Sequence, residues 1–149
     1  VRYNYKIDPH KKPHPAFPNE LSWSPILEVR LSNPATPQSP ATKRFEALVD
    51  SGCVDTLFHA SIGDSIGLDI KAGIEWEIAG IVKRSKAKTY FHEVDLHVDA
   101  SIIRIKAGFC EKLPVAGLLG RRGFFEHFIV AFDPTLTPPG FEIERVGRA

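Results

Sequence analysis

Three stretches in the middle of the chain, IEWEIAGIV (74–82), KTYFHEVDLHV (88–98) and SIIRIKA (101–107), constrain the fold most. They are rich in β-branched and aromatic residues, and only short breaks separate them, so from residue 73 to 105 the pattern is β throughout. Two of these strands are expected to pair as a long hairpin. PILEVRL (25–31) alternates as a strand should, with Ile26, Glu28 and Arg30 on one face and Leu27, Val29 and Leu31 on the other. RFEALVD (44–50), FIVAFD (128–133) and GFEIERV (140–146) read as further strands. No strand–helix–strand rhythm and no internal repeat is visible, which excludes a parallel α/β fold and predicts an all-β barrel, closed or partly closed, with one or two short helices. TLFHASIGDSIGL (56–68) has helical spacing in part, and a second short helix is expected across 123–128.

Length and punctuation set the organisation. With 149 residues and 43% hydrophobic content, the chain has core enough for one domain. Pro9, Pro13, Pro15, Pro18 and Pro25 stand among polar residues, so residues 1–23 read as an extended N-terminal arm and 24–149 as the domain. SNPATPQSPAT (32–42) is a loop, its prolines excluding regular structure.

Nineteen basic against eighteen acidic residues leave a net charge of +1, too little asymmetry for nucleic acid or an anionic membrane as the main partner. The basic stretch KRSKAK (83–88) reads as a solvated hairpin. No apolar run approaches the roughly 18 residues of a membrane span, and the first residues have no signal-peptide core. The chain starts without Met, which leaves room for a longer parent and a flanking membrane segment. Cys53 and Cys110 form neither a disulfide framework nor a zinc cluster, so a reducing compartment, the cytoplasm, is expected.

One residue breaks the apolar logic of its strand. In ALVDSGCVD (47–55), Asp50 follows three apolar residues and precedes Ser51 and Gly52. A carboxylate at the mouth of a buried strand costs several kcal/mol unless it is paired or hydrogen-bonded, so it is there either to make a turn or to do chemistry. ALVDSG, the later GLLG (117–120), and the β-rich interval between them together resemble the retropepsin-like aspartic peptidases, the single-lobe relatives of pepsin. The likeness spans roughly residues 24–132, with seventy residues separating Asp50 from Gly120.

The resemblance implies that Asp50 is the catalytic carboxylate. Ser51 would supply a hydroxyl that bonds across a dimer, and Gly52 would let substrate approach the backbone. It places Ala79, Gly80 and Ile81, in IAGI (78–81), in a flap hairpin over the substrate, with Ile81 at its tip. Leu118, Leu119, Gly120 and Arg121 become the structural support beneath the turn. Val54 stands where retroviral members carry an Asp that pairs with an Arg after the hydrophobic-Gly motif. Arg121 keeps that Arg, and Asp55 is the acid left to serve it. Val82 and Lys83 replace flap residues that are often glycine.

Hydrolysis by this route needs two carboxylates facing one water, one ionised as base and the other protonated as acid. VDAS (98–101) lacks the glycine of a second motif, and a two-lobed chain would need about twice this length. The expectation is therefore a twofold homodimer contributing one Asp50 from each subunit, acting on a polypeptide without metal or cofactor. The alternative is a catalytically inactive module that uses the same dimer to bind peptide.

Other constellations point nowhere stronger. His10 and His14 are four apart, but Pro13 spoils a helical metal face. His92 and His97 should face opposite sides of one strand. Ser51 lacks the GxSxG elbow of a serine nucleophile. Cys53 reads as a packing residue, and Trp23 and Trp76 as core or interface residues rather than specificity-pocket linings.

Overall fold

The computed structural model describes residues 1–8, 12–82 and 85–147. Its short N-terminal strands are β1 (Arg2–Asn4), β2 (Lys6–Ile7) and β3 (Trp23–Ser24). β4 (Ile26–Ser32) follows as the alternation requires, with Leu27, Val29 and Leu31 buried and Glu28 and Arg30 exposed. β5 (Phe45–Val49) buries Ala47 and Val49 and ends at Asp50. β6 (Leu57–His59) runs into α1 (Ala60–Ser65), where His59 Nδ1 accepts the Ser61 N–H as the cap. A single 3-10 turn spans Ile70–Ala72. Next come β7 (Ile74–Val82), β8 (Ser85–Val98), β9 (Ser101–Cys110), β10 (Gly117–Leu119), β11 (Phe128–Asp133) and β12 (Gly140–Arg145).

Six strands close on themselves in the order β4–β5–β10–β6–β9–β8, and the far half of β8 pairs back on β4 through Arg30↔His97, Leu31↔Leu96 and Ser32↔Asp95. Closure removes the free edges an open sheet would present. Inside lie Phe58, Phe109, Phe124, Leu31, Leu96 and Leu119, all below 2% exposure. β7 stays outside the ring and, among the described residues, pairs with β8 alone, from Ile74↔Phe91 to Ile78↔Ala87 and again at Val82↔Ser85. The long hairpin is thus real, and β8 belongs to two of them, pairing with β9 over nine positions as well. VDAS is the tight connection of that second hairpin, with Asp99 at φ 49°.

A separate sheet, β1–β12–β11, joins the chain's ends, while β2 pairs with β3. Tyr3 stacks on Phe141 at 5.4 Å, so the first strand is fixed by aromatic packing as well as by its ladder.

The helix expected across 123–128 does not form. Gly123 has φ +95°, outside the right-handed helical region, and residues 123–127 make turns that lead into β11. His127 N and Phe128 N both donate to Phe124 O, at 2.9 and 3.1 Å, closing one turn only. Phe124 is fully buried and stacks on Phe128 at 5.0 Å, and that burial decides the local backbone over helix propensity.

Candidate active site

Asp50 leaves β5 at the point where that strand runs parallel to β10, with Leu118↔Leu48 and Leu119↔Val49 in register. Its N–H donates to Leu119 O at 3.0 Å, tying the turn to β10. One carboxylate oxygen, Oδ1, accepts the Gly52 N–H at 2.9 Å, and Asp50 O accepts the Cys53 N–H at 3.2 Å. Among the described residues Oδ2 has no hydrogen-bond partner. The side chain is half-buried and lines a groove of about 600 Å³ together with Trp76, Ile78 and Ala79 of β7. One oxygen of the carboxylate is held by the turn, and the side chain borders the groove.

A ladder beneath the turn holds residues 53–56 against 120–122. Arg121 N donates to Cys53 O at 2.9 Å, and Arg122 N to Val54 O at 2.8 Å. Thr56, at 0% exposure, donates to Arg122 O at 2.8 Å and accepts the Gly120 N–H at 3.1 Å. A buried hydroxyl satisfied in both roles adds a net stabilisation of about 1 kcal/mol per bond and fixes the spacing of the two strands. Thr56 was not singled out from the sequence. Its only signal there is a polar residue at the head of the apolar run TLF.

The arginine differs from the one the resemblance implied. Arg122, not Arg121, pairs with Asp55, through a fork of 2.8 and 3.2 Å. Arg121 is exposed and contributes its backbone N–H. Gly120 is buried against residues 53–55, and one-residue alternation then turns Arg121 outward and brings Arg122 beside Asp55, with which it forms a parallel bridge. The hydrogen bond and charge of Asp55 push the Arg122 guanidinium further above its ordinary value. Arg122 is itself largely exposed, so the pair orders the groove mouth more than it stabilises the fold.

Asp50, Gly52, Ala79 and Leu118 therefore line one groove. Leu119 and Gly120 are buried below it, and Ser51 is exposed at the tip of the turn. Gly80 and Ile81 lie in β7, with their side chains outside the described residues, as are His10 and Lys83. Lys86 and Lys88 are exposed and form ion pairs with Glu77 at 3.9 Å and Glu75 at 3.4 Å on the neighbouring strand, as a solvated hairpin demands. Neither Trp is a core residue: Trp23 is 37% and Trp76 64% exposed. His92 Nε2 bonds Ile70 O at 2.8 Å, His97 Nε2 meets Ser32 Oγ at 2.7 Å, and the two rings occupy opposite faces of β8. His14 Nδ1 accepts the Ala16 N–H. Among the described residues no group of three or more His, Cys, Asp or Glu is placed to hold a metal ion, and no helix is long and apolar enough to cross a membrane.

Cys53 packs with Leu57, Ala87, Cys110 and Leu113 in a small apolar cluster under the groove. Its Sγ donates to Asp55 O at 3.1 Å. Burial pushes the thiol up more than that hydrogen bond draws it down, and the Asp50 and Asp55 charges push the same way as burial. A raised thiol pKa means little thiolate near neutrality. Iodoacetamide labelling of Cys53, followed by peptide mapping across a pH series, is expected to show a midpoint alkaline of that of a free-cysteine peptide. A midpoint at or below the free-peptide value would contradict this packing role.

No protein family and no curated protein matches the chain. Among solved structures it is similar to the EIAV protease complexed with the inhibitor HBY-793, at 16% identity and a TM-score of 0.46, covering 66% of this chain and 82% of that one. It is also similar to the retroviral protease-like domain of Ddi1 from Leishmania major, at 13% identity and a TM-score of 0.47, covering 70% and 80%. With β10 between β5 and β6 beneath the Asp50 turn, and β7 lining the same groove as that turn, the chain is an all-β closed barrel with one strand outside the ring.

Proposed function

We propose that the chain is an aspartic endopeptidase in which two Asp50 carboxylates, one from each subunit of a homodimer, activate water against an extended polypeptide. The observation that carries this reading is a half-buried Asp50 whose Oδ1 is held by the Gly52 N–H, whose Oδ2 has no hydrogen-bond partner among the described residues, and which lines one groove with Trp76, Ile78 and Ala79 of β7. The Gly52 N–H fixes the carboxylate's orientation, and such preorganisation is what a general base needs. One carboxylate cannot be base and acid at once, so a twofold partner supplies the second, and proximity lets the pair share one proton. Ser51, exposed beside Asp50 and without a hydrogen bond among the described residues, is positioned to bond across the axis. In this reading Ala79, Gly80 and Ile81 would be the flap that closes over substrate and excludes water.

In this reading residues 24–149 are the peptidase domain, 1–23 are an arm that lays β1 on β12, and the free thiols Cys53 and Cys110 suit the cytoplasm. The direct test is incubation with a denatured-protein peptide library from acid to neutral pH, with fragments read by mass spectrometry. Cleavage within chains, abolished by Asp50→Asn, is expected; no new termini at any pH would sink the enzyme.

Dimerisation is checked separately. Sedimentation over a wide concentration range is expected to show a monomer–dimer equilibrium, with specific activity rising as the dimer fills. A species that stays monomeric yet cleaves at full rate would refute the two-carboxylate mechanism.

A further inference from the structure

The Asp50 groove does not end at the Arg122–Asp55 pair. Asp55, Trp76 and Arg122 line it on one side and a second groove of about 530 Å³ on the other. The walls of this second groove include Ile74, Phe91 and Ile105, and its lining is mainly apolar. Ile74 and Trp76 occupy alternate positions of β7 and are 74% and 64% exposed. Large apolar side chains left in water side by side forgo about 25 cal/mol for each Å² they could bury, and such patches mark binding surfaces.

Two of the charges around the groove are already matched. Arg122 is forked to Asp55, and Arg104 to Asp95 at 2.9 and 3.2 Å with Glu93 nearby. Lys106 and Glu126 also line the groove, Glu126 Oε1 accepting the Gly123 N–H at 3.0 Å, yet most of the surface the lining exposes is apolar, which suits a bulky apolar side chain.

We propose that this second groove is an extension of the peptide cleft, and that it takes a large apolar side chain of the same polypeptide outside the segment crossing Asp50. The proposal rests on the peptide-cleft reading above and deepens it, by making Ile74 and Trp76 determinants of substrate choice. Continuity identifies the occupant: a chain laid along β7 past Asp50 passes the shared Trp76 and reaches Ile74 next on the same face of the strand.

The test uses the full chain carrying Asp50→Asn, so that bound peptide is not consumed. A randomised library of fourteen-residue peptides is captured on it and sequenced, and the captured peptides are compared with versions trimmed to about six residues. The expected result is a preferred large apolar residue at one fixed offset, with trimming that removes it weakening binding about tenfold. Adding Ile74→Asp should weaken the long peptides about tenfold and leave the trimmed ones unchanged; Ile74 is exposed, so this variant folds.

Equal affinity of long peptides for both proteins overturns the proposal, as does capture of no peptide. Loss of dimer in sedimentation on introducing Ile74→Asp also overturns it, because the groove would then be a contact between copies. The same long peptides given to the wild-type chain separate the two readings. Binding with the length effect but no cleavage sinks the peptidase and leaves the groove; cleavage without a length effect does the reverse.

Discussion

Asp50→Asn is expected to remove at least about three orders of magnitude of peptide hydrolysis while leaving the fold, the dimer and peptide binding in place. Asn keeps an oxygen to accept the 2.9 Å bond from Gly52 N–H, so the turn retains its geometry. What it loses is the group that takes the proton from water, a contribution of about 10²–10⁴-fold for general acid–base catalysis, enlarged here because both subunits change. The turn is half-buried at Asp50 and exposed at Ser51 and Gly52, so stability should shift by less than about 1 kcal/mol.

The proposed dimer should depend on pH, where an interface without ionisable groups would not. Two ionised carboxylates about 4 Å apart in an effective dielectric of about 20 repel by about 4 kcal/mol before a shared proton relieves them. If the proposed homodimer forms, it would bind more protons than two monomers, and its association should tighten as pH falls from neutrality. In the Asp50→Asn protein most of that dependence should vanish. Rates on a library-derived peptide, with sedimentation from about pH 4 to 8, read both effects. If the parent cleaves nothing across this range and both proteins bind peptide alike, the chain is a peptide-binding module.

Gly120→Ala is expected to destabilise the domain by about 3 kcal/mol, a large part of the 5–15 kcal/mol available to a domain of this kind. A Cβ at Gly120 would lie 2.1 Å from Asp55 O, 2.6 Å from Asp55 C and 2.8 Å from Cys53 O. All three are backbone atoms, held by the bonds from Arg121 and Arg122 to Cys53 and Val54, so nothing flexible can yield. The strands would have to separate, breaking the Thr56 bonds and moving Asp50, whose N–H is anchored on Leu119. Urea unfolding followed by tryptophan fluorescence should show the midpoint fall, with catalysis lost under conditions where the variant is still folded. Gly147→Ala, where a Cβ meets nothing within 4 Å, is the control and should shift stability by less than about 0.5 kcal/mol. A Gly120→Ala protein as stable as its parent would mean that the 53–56 and 120–122 segments are not locked together.

Much of this molecule is written in period-two alternation. Leu27, Val29 and Leu31 point inward and Glu28 and Arg30 outward because successive residues of a strand face opposite ways, a rule that needs no knowledge of the neighbouring strand. The same locality makes Asp50 legible: a carboxylate closing an apolar strand, followed by Ser-Gly, is anomalous wherever that strand is later placed. Opposite faces for His92 and His97, and the hairpin character of 74–98, follow from local pattern as well.

Long-range pairing decided the rest. Arg121 and Arg122 are chemically identical neighbours, and only the parallel bridge of Asp55 with Arg122 chooses between them. Residues 123–128 read as a short helix, yet the burial of Phe124 and the positive φ of Gly123 leave a single turn. Trp76 reads from the sequence as a core or interface residue, and it lies outside the core because β7 stands outside the closed ring. Alternation is a property of the chain and could be read from it; which strand lies beside which is a property of the closed barrel, because contacts between residues sixty or more positions apart settle it together.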